Sequence, residues 1–172
     1  MKPVMYVIAV AAFLFAGAPA RAAEEWGIDG EAKVRFEAKV VDVLCELTGD
    51  CPANCGGGKR QLGLLKDDGK LLLAVKNVDI FAGAVNDLIG FCGKRIVADG
   101  LLINNPKMPL FALQFKRLAP DGKWSRADQF GKDWSKANGG KAAGQWFKND
   151  KTIKKVIAEK GVFGIPGLKE KK

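Results

Sequence analysis

Four cysteines carry the clearest potential for chemistry in this chain of 172 residues. Cys45, Cys51, Cys55 and Cys92 follow the spacing C-x5-C-x3-C-x36-C. An even count reads first as disulfides where a chain enters an oxidising compartment, which keeps thiols paired, and the N-terminus described below gives that expectation. Pro52-Ala53-Asn54 can turn back on itself, so the expected pairing is Cys51–Cys55 with Cys45–Cys92. Chain entropy assigns about 2 kcal/mol to such a short closure and roughly 4 kcal/mol to the long one. The alternative is thiol chemistry, in which Cys51 and Cys55 act as a labile redox pair or hold Cu(I) or Zn. The chain has no His. That removes the commonest general base, the Ser-His-Asp and Cys-His arrangements and His-ligated metal sites. No nucleophile, base and oxyanion set assembles, so the reading leans away from an enzyme and expects no cofactor.

Two cysteine patterns of known families come close. The spacing is similar to that of adrenodoxin-type iron–sulfur ferredoxins, which use C-x5-C-x2-C and a distant fourth Cys. Here one extra residue separates Cys51 from Cys55, and the chain is basic where such ferredoxins are acidic. Cys51-Pro52-Ala53-Asn54-Cys55 also resembles the C-P-x-x-C pair of Sco-type copper proteins. Those add a His and a thioredoxin-like fold, and this chain has neither the His nor a βαβ pattern. Gly56-Gly57-Gly58-Lys59-Arg60 lacks the Ser or Thr of a phosphate loop and precedes a strand. Lys59 and Arg60 remain a weak candidate anion contact.

Compartment and charge come next. Lys2, the apolar run Val4 to Ala16, and the small-x-small sites Ala18-Pro19-Ala20 and Ala20-Arg21-Ala22 make a secretory signal over residues 1–22. Cleavage near Ala20–Ala23 would leave a periplasmic or secreted chain with no other segment long enough to span a membrane. The formal net charge is +9. It is unevenly spread, with 10 basic and 13 acidic residues in 24–106 against 16 basic and 6 acidic in 107–172. Such a split favours an acidic protein partner or an anionic surface. Export argues against nucleic acid.

The elements that must position these groups read as mainly β with an α extension. Residues 32–44 alternate, with Val34, Phe36, Ala38 and Val40 on one face. The Cys- and Gly-rich loop 45–58 follows. Residues 61–65 and 71–75 are strands joined by an Asp68-Gly69 hairpin signal. Asp79 can cap a short helix carrying Phe81, Ala84, Val85 and Leu88. Residues 95–103 form a strand bent at Gly100, and residues 110–115 another. Three strands, a helix and two strands is the order of a five-stranded OB-like barrel (β-β-β-α-β-β). The stretch 32–118 also resembles exported OB-fold proteins in texture. Val40-Val41-Asp42 runs toward a Cys, a Gly-rich loop follows, and Gly93-Lys94-Arg95-Ile96 opens the fourth strand. The resemblance implies architecture only, since OB-folds bind oligonucleotides, oligosaccharides or proteins.

The expected organisation is therefore a leader, a barrel domain over 23–120, and a basic helical extension over 121–172. In the extension, Ser125 with Asp128 reads as a capping box. Ala127, Phe130, Trp134 and Ala137 follow at helical spacing. Asn149 or Asp150 opens a second helix that Gly161 ends. Residues 169–172 read as a frayed tail. Trp124, Trp134 and Trp146, with Lys148, Lys154 and Lys155, are the candidate partner-binding residues. The leading functional reading is a disulfide-stapled, non-catalytic envelope module that docks an acidic envelope or redox protein. The alternatives are thiol or soft-metal handling through Cys51/Cys55, and a barrel that binds a glycan or small ligand.

Overall fold

The computed structural model describes residues 22–105, 107–161, 164, 165 and 168. The expected leader, apart from Ala22, and the expected frayed tail lie outside the described residues. The chain opens with β1 (Glu31–Asp42), which runs directly into α1 (Val43–Thr48). A 3-10 turn, Ala53–Gly58, leads to β2 (Leu62–Leu65) and β3 (Leu71–Lys76). The short helix α2 (Val85–Leu88) precedes β4 (Arg95–Ile103) and β5 (Leu110–Leu118). The extension holds β6 (Ser125–Arg126), α3 (Gln129–Ala137), α4 (Trp146–Asn149) and α5 (Lys151–Lys160).

The sheet order is β3-β2-β1-β4-β5-β6, and β3 also pairs with β5. That last pairing is parallel, while all others are antiparallel. It closes a five-stranded mixed barrel of OB-like type, with β6 as an extra outer strand. The long β1 serves both sides. Its first part pairs with β4 and its last residues with β2, and Lys39 has Cα partners on both. Closure removes the sheet edges that would otherwise invite aggregation.

The expected alternation holds along β1, where Ala38 and Val40 are fully buried. They meet Leu62, Leu64, Leu72, Ile96, Phe111 and Leu113 in the core, and α2 adds Leu88. Each such aliphatic side chain contributes about 1.5–3 kcal/mol on burial. The Asp68-Gly69 hairpin forms as read, with Gly69 at φ +78°. The Asp68 carboxylate accepts the Lys70 backbone N–H at 3.0 Å. At Gly100 the β4–β5 register shifts. A Cβ there would lie 2.1 Å from the Ala112 carbonyl oxygen, so only glycine lets the strands approach.

Three local expectations need correction. The helix after β3 is shorter than read, and Ala84 rather than Asp79 holds its N-cap position. Asp79 instead accepts the Gly131 backbone N–H at 3.0 Å, fastening α3 to the barrel. Ser125 is not a helix cap, because Ser125 and Arg126 pair with Lys116 and Phe115 as β6. Asp128 occupies the N-cap position of α3 without a side-chain cap bond. The second helix of the extension follows expectation. Asp150 caps α5 by accepting the Ile153 N–H at 3.0 Å, and Gly161 ends it.

Candidate functional site

The cysteine loop is built outward from Asp42, the last residue of β1. Its Oδ1 accepts the N–H groups of Leu44 at 2.9 Å and Cys45 at 3.2 Å. The strand therefore becomes a helix without a connecting loop. Gly49 at φ +76° ends α1, and its N–H bonds the Cys45 carbonyl at 2.8 Å. The chain thus doubles back within one short helix, and Cys45 bonds Cys51 across a Cα–Cα distance of 4.5 Å.

The next turn is unusual. Asn54, Cys55, Gly56 and Gly57 all have left-handed backbone, with φ of 51°, 49°, 71° and 58°. Consecutive left-handed residues are rare because the Cβ crowds the carbonyl, and the glycines lower that cost. The turn buries Cys55, which bonds Cys92 between α2 and β4. The expected pairing of Cys51–Cys55 and Cys45–Cys92 is therefore wrong. The Asp42-capped helix brings Cys45 to Cys51, and the left-handed turn points Cys55 away from Cys51 into the core. Cys51 and Cys55 belong to different disulfides, so a dithiolate between them would first require both bonds to break. Among the described residues, no group of three or more Cys, Asp or Glu is arranged to hold a metal ion.

A small cleft of about 190 Å³ lies beside both disulfides, with Asp42, Glu46 and Asn54 in its wall. Arg60 closes the loop electrostatically. Its guanidinium donates to the Asp50 carbonyl and carboxylate, both at 2.7 Å, and reaches Asp42 Oδ2 at 3.4 Å. The Asp50 carboxylate, with Asp42 behind it, raises the Arg60 pKa further. Lys59 is exposed beside it. An anion at Arg60 would therefore compete with two carboxylates already in place.

The extension places its aromatic residues differently from one another. Trp134 is 8% exposed and sits in the core side of α3. Trp124 is half-buried, with the Arg35 guanidinium 4.9 Å and the Arg117 guanidinium 4.8 Å from its ring centre. Trp146 donates its indole N–H to the Ile80 carbonyl at 2.6 Å and meets Phe130 edge-on at 4.7 Å. Phe147 meets Phe81 edge-on at 4.9 Å. These contacts fasten α4 to the loop after β3. The next helix, α5, keeps part of its apolar face exposed. Val156 is 50% and Ile157 42% exposed on α5. Phe147, Ile153, Ile157 and Ala158 line a groove of about 330 Å³ whose rim carries Lys148 and Lys154. Lys155 is exposed on the same helix, 3.9 Å from Glu159.

Several polar groups escape the sequence reading. Lys116 and Asp87 form a buried ion pair at 2.9 Å, and Asp87 also accepts from Asn77 and the Gln129 N–H. Asp99 is buried and takes both Arg35 and the Ala23 N–H. Their common signal is weak. Gln114 and Lys116 alternate with Leu113 and Phe115, a pattern that places them outside a barrel. They are buried there because residues 23–24 and 125–129 cover that outer face.

Fold and site together define an OB-like barrel tied by two intramolecular disulfides, Cys45–Cys51 and Cys55–Cys92. No helix among the described residues is long and apolar enough to cross a membrane. No protein-family model, curated protein or solved structure matches the chain.

Proposed function

We propose that this protein is an exported, non-catalytic accessory module whose barrel displays α5 to an acidic envelope protein. The observation that carries the reading is the face of α5. Val156 and Ile157 stay about half exposed beside a groove between Lys148 and Lys154, while neighbouring aromatic residues are used for packing. An apolar strip rimmed by ammonium groups complements a partner with an apolar ridge and flanking carboxylates. The rim lysines would steer encounter, and the apolar strip would hold the complex. The C-terminal excess of basic residues points to the same sign of partner.

A photoreactive residue replacing Val156, in protein exported by its host, tests this. The expected result is an adduct of discrete mass with an acidic envelope protein. The joint substitution Lys148→Glu, Lys154→Glu and Lys155→Glu should abolish it, and raised salt should weaken it. An adduct indifferent to charge reversal would overturn the reading. So would binding to phosphatidylglycerol vesicles with no protein adduct, which would make the face a membrane contact.

A further inference from the structure

The segment ahead of β1 is held to the barrel by a series of backbone contacts. Ala22 is exposed, whereas Ala23 is only 5% exposed. The Ala23 backbone nitrogen donates to Asp99 Oδ1 at 3.0 Å. Asp99 lies in β4 with a side chain 5% exposed, and its other oxygen takes the Arg35 guanidinium. Glu24 is gripped at both ends by Gln114 of β5. Its N–H donates to Oε1 at 2.9 Å, and its carbonyl accepts from Nε2. The N–H groups of Trp26 and Gly27 donate to Glu31 Oε1 at 2.8 and 2.9 Å. The Trp26 ring lies 4.1 Å from the Lys76 ammonium. Among the described residues of the arm, Ala23 is the first that is buried.

That residue coincides with a small-x-small boundary, since Ala20 and Ala22 precede it at the spacing a leader protease reads. We infer that the leader is removed at the Ala22–Ala23 bond and that the new α-ammonium of Ala23 closes a buried ion cluster with Asp99 and Arg35. The inference rests on the export reading. Hydrolysis breaks the Ala22 C–N bond. Water's hydroxyl ends on the Ala22 carboxylate, and the released amine takes protons from solvent to become an ammonium. A single amide N–H facing a buried carboxylate is thereby replaced by a full positive charge at the same place. The carboxylate already makes the amide bond charge-assisted, and an ammonium in its place adds the attraction of a full opposite charge in a poorly solvated site. Arg35 donates to Oδ2 of Asp99, while Oδ1 faces the Ala23 nitrogen. The other boundary, after Ala20, would set the ammonium two residues short of Asp99. Burial of Ala23 also implies an order of events, because the bond must be cut before the arm docks.

The test uses the full chain exported through its own leader. Intact mass should give an N-terminus at Ala23. A start at Arg21 overturns the inference, and a retained leader overturns the export reading instead. The α-amine of the folded protein should be acylated at neutral pH at least about tenfold more slowly than in Asp99→Asn. Should Asp99→Asn fail to fold, a chain with one extra Ala before Ala23 leaves every side chain intact. That chain should melt at least about 3 °C lower than the chain starting at Ala23. A start at Ala23 with equal melting temperatures, or with an amine as reactive as an exposed one, leaves export standing and overturns the ion cluster.

Discussion

Asp79 shows how a single carboxylate can hold two elements together at an electrostatic cost. Burial raises its pKa above the ordinary carboxylate range, against the lowering effect of the Gly131 N–H. The nearby carboxylates of Asp87 and Asp128 push in the same direction as burial. The folded state therefore keeps this proton to higher pH than the unfolded chain does. Its stability contribution is largest when Asp79 is protonated and declines as pH rises from about 4 through the raised value. Asp79→Asn removes the charge and keeps an oxygen for Gly131. The variant is expected to gain on the parent as pH rises from about 4, and then to hold a constant lead at neutral pH. Urea unfolding of both proteins across that range reads the difference. A variant less stable than the parent at neutral pH would show that the charge itself is needed. Lys116 and Asp87 present the opposite arrangement, a buried pair of opposite charges, and there removal of either one leaves the other's buried charge without its counter-ion.

At the scale of elements, Gly100 decides whether the barrel can close. Its Cβ position is blocked by the Ala112 carbonyl at 2.1 Å and by the Phe111 ring at 2.9 Å. The blocking group is backbone, so no rotamer relieves it. Gly100→Ala is expected to destabilise by about 3 kcal/mol or more, because β4 and β5 must separate. Gly90→Ala, where an added Cβ meets nothing within 4 Å, is the matched control and should change little. Urea midpoints of the two variants check this. Equal midpoints would mean that the strands have room to move apart. The strand at Gly100 was legible in the sequence, as were the Asp68-Gly69 hairpin and the order of the barrel elements. Periodicity and turn chemistry are local properties, and they survive folding when nothing else competes. Ser125 was misread for the opposite reason. A capping box and a short edge strand share the same residue types, and the neighbouring Lys116 in β5 decides between them. Buried Gln114 and Lys116 were illegible because their cover comes from segments far away in sequence.

Across the whole molecule, the two disulfides divide the work unequally. Cys45–Cys51 spans a sequence separation of 6 and staples α1 to its own loop. Cys55–Cys92 spans 37 and ties that loop to the entrance of β4. The four cysteines were legible as paired thiols, yet their connectivity was not, because no spacing announces a run of left-handed residues at Asn54 to Gly57. The corrected pairing reassigns the cysteines and leaves the energetic expectation for one short and one long closure as it was. By chain entropy the long closure contributes about 4 kcal/mol and the short one about 2 kcal/mol. Burial sharpens the contrast, since Cys55 belongs to the hydrophobic core while Cys51 is exposed. The double substitution Cys55→Ala with Cys92→Ala should therefore lower stability by roughly twice as much as Cys45→Ala with Cys51→Ala. Against a typical net stability of about 5–15 kcal/mol, the first loss threatens the barrel and the second should leave it folded. Denaturant unfolding of both double variants measures this. If the exposed pair proved the more costly to lose, then α1 and its loop, and not the junction with β4, would be the part of the molecule that holds the barrel shut.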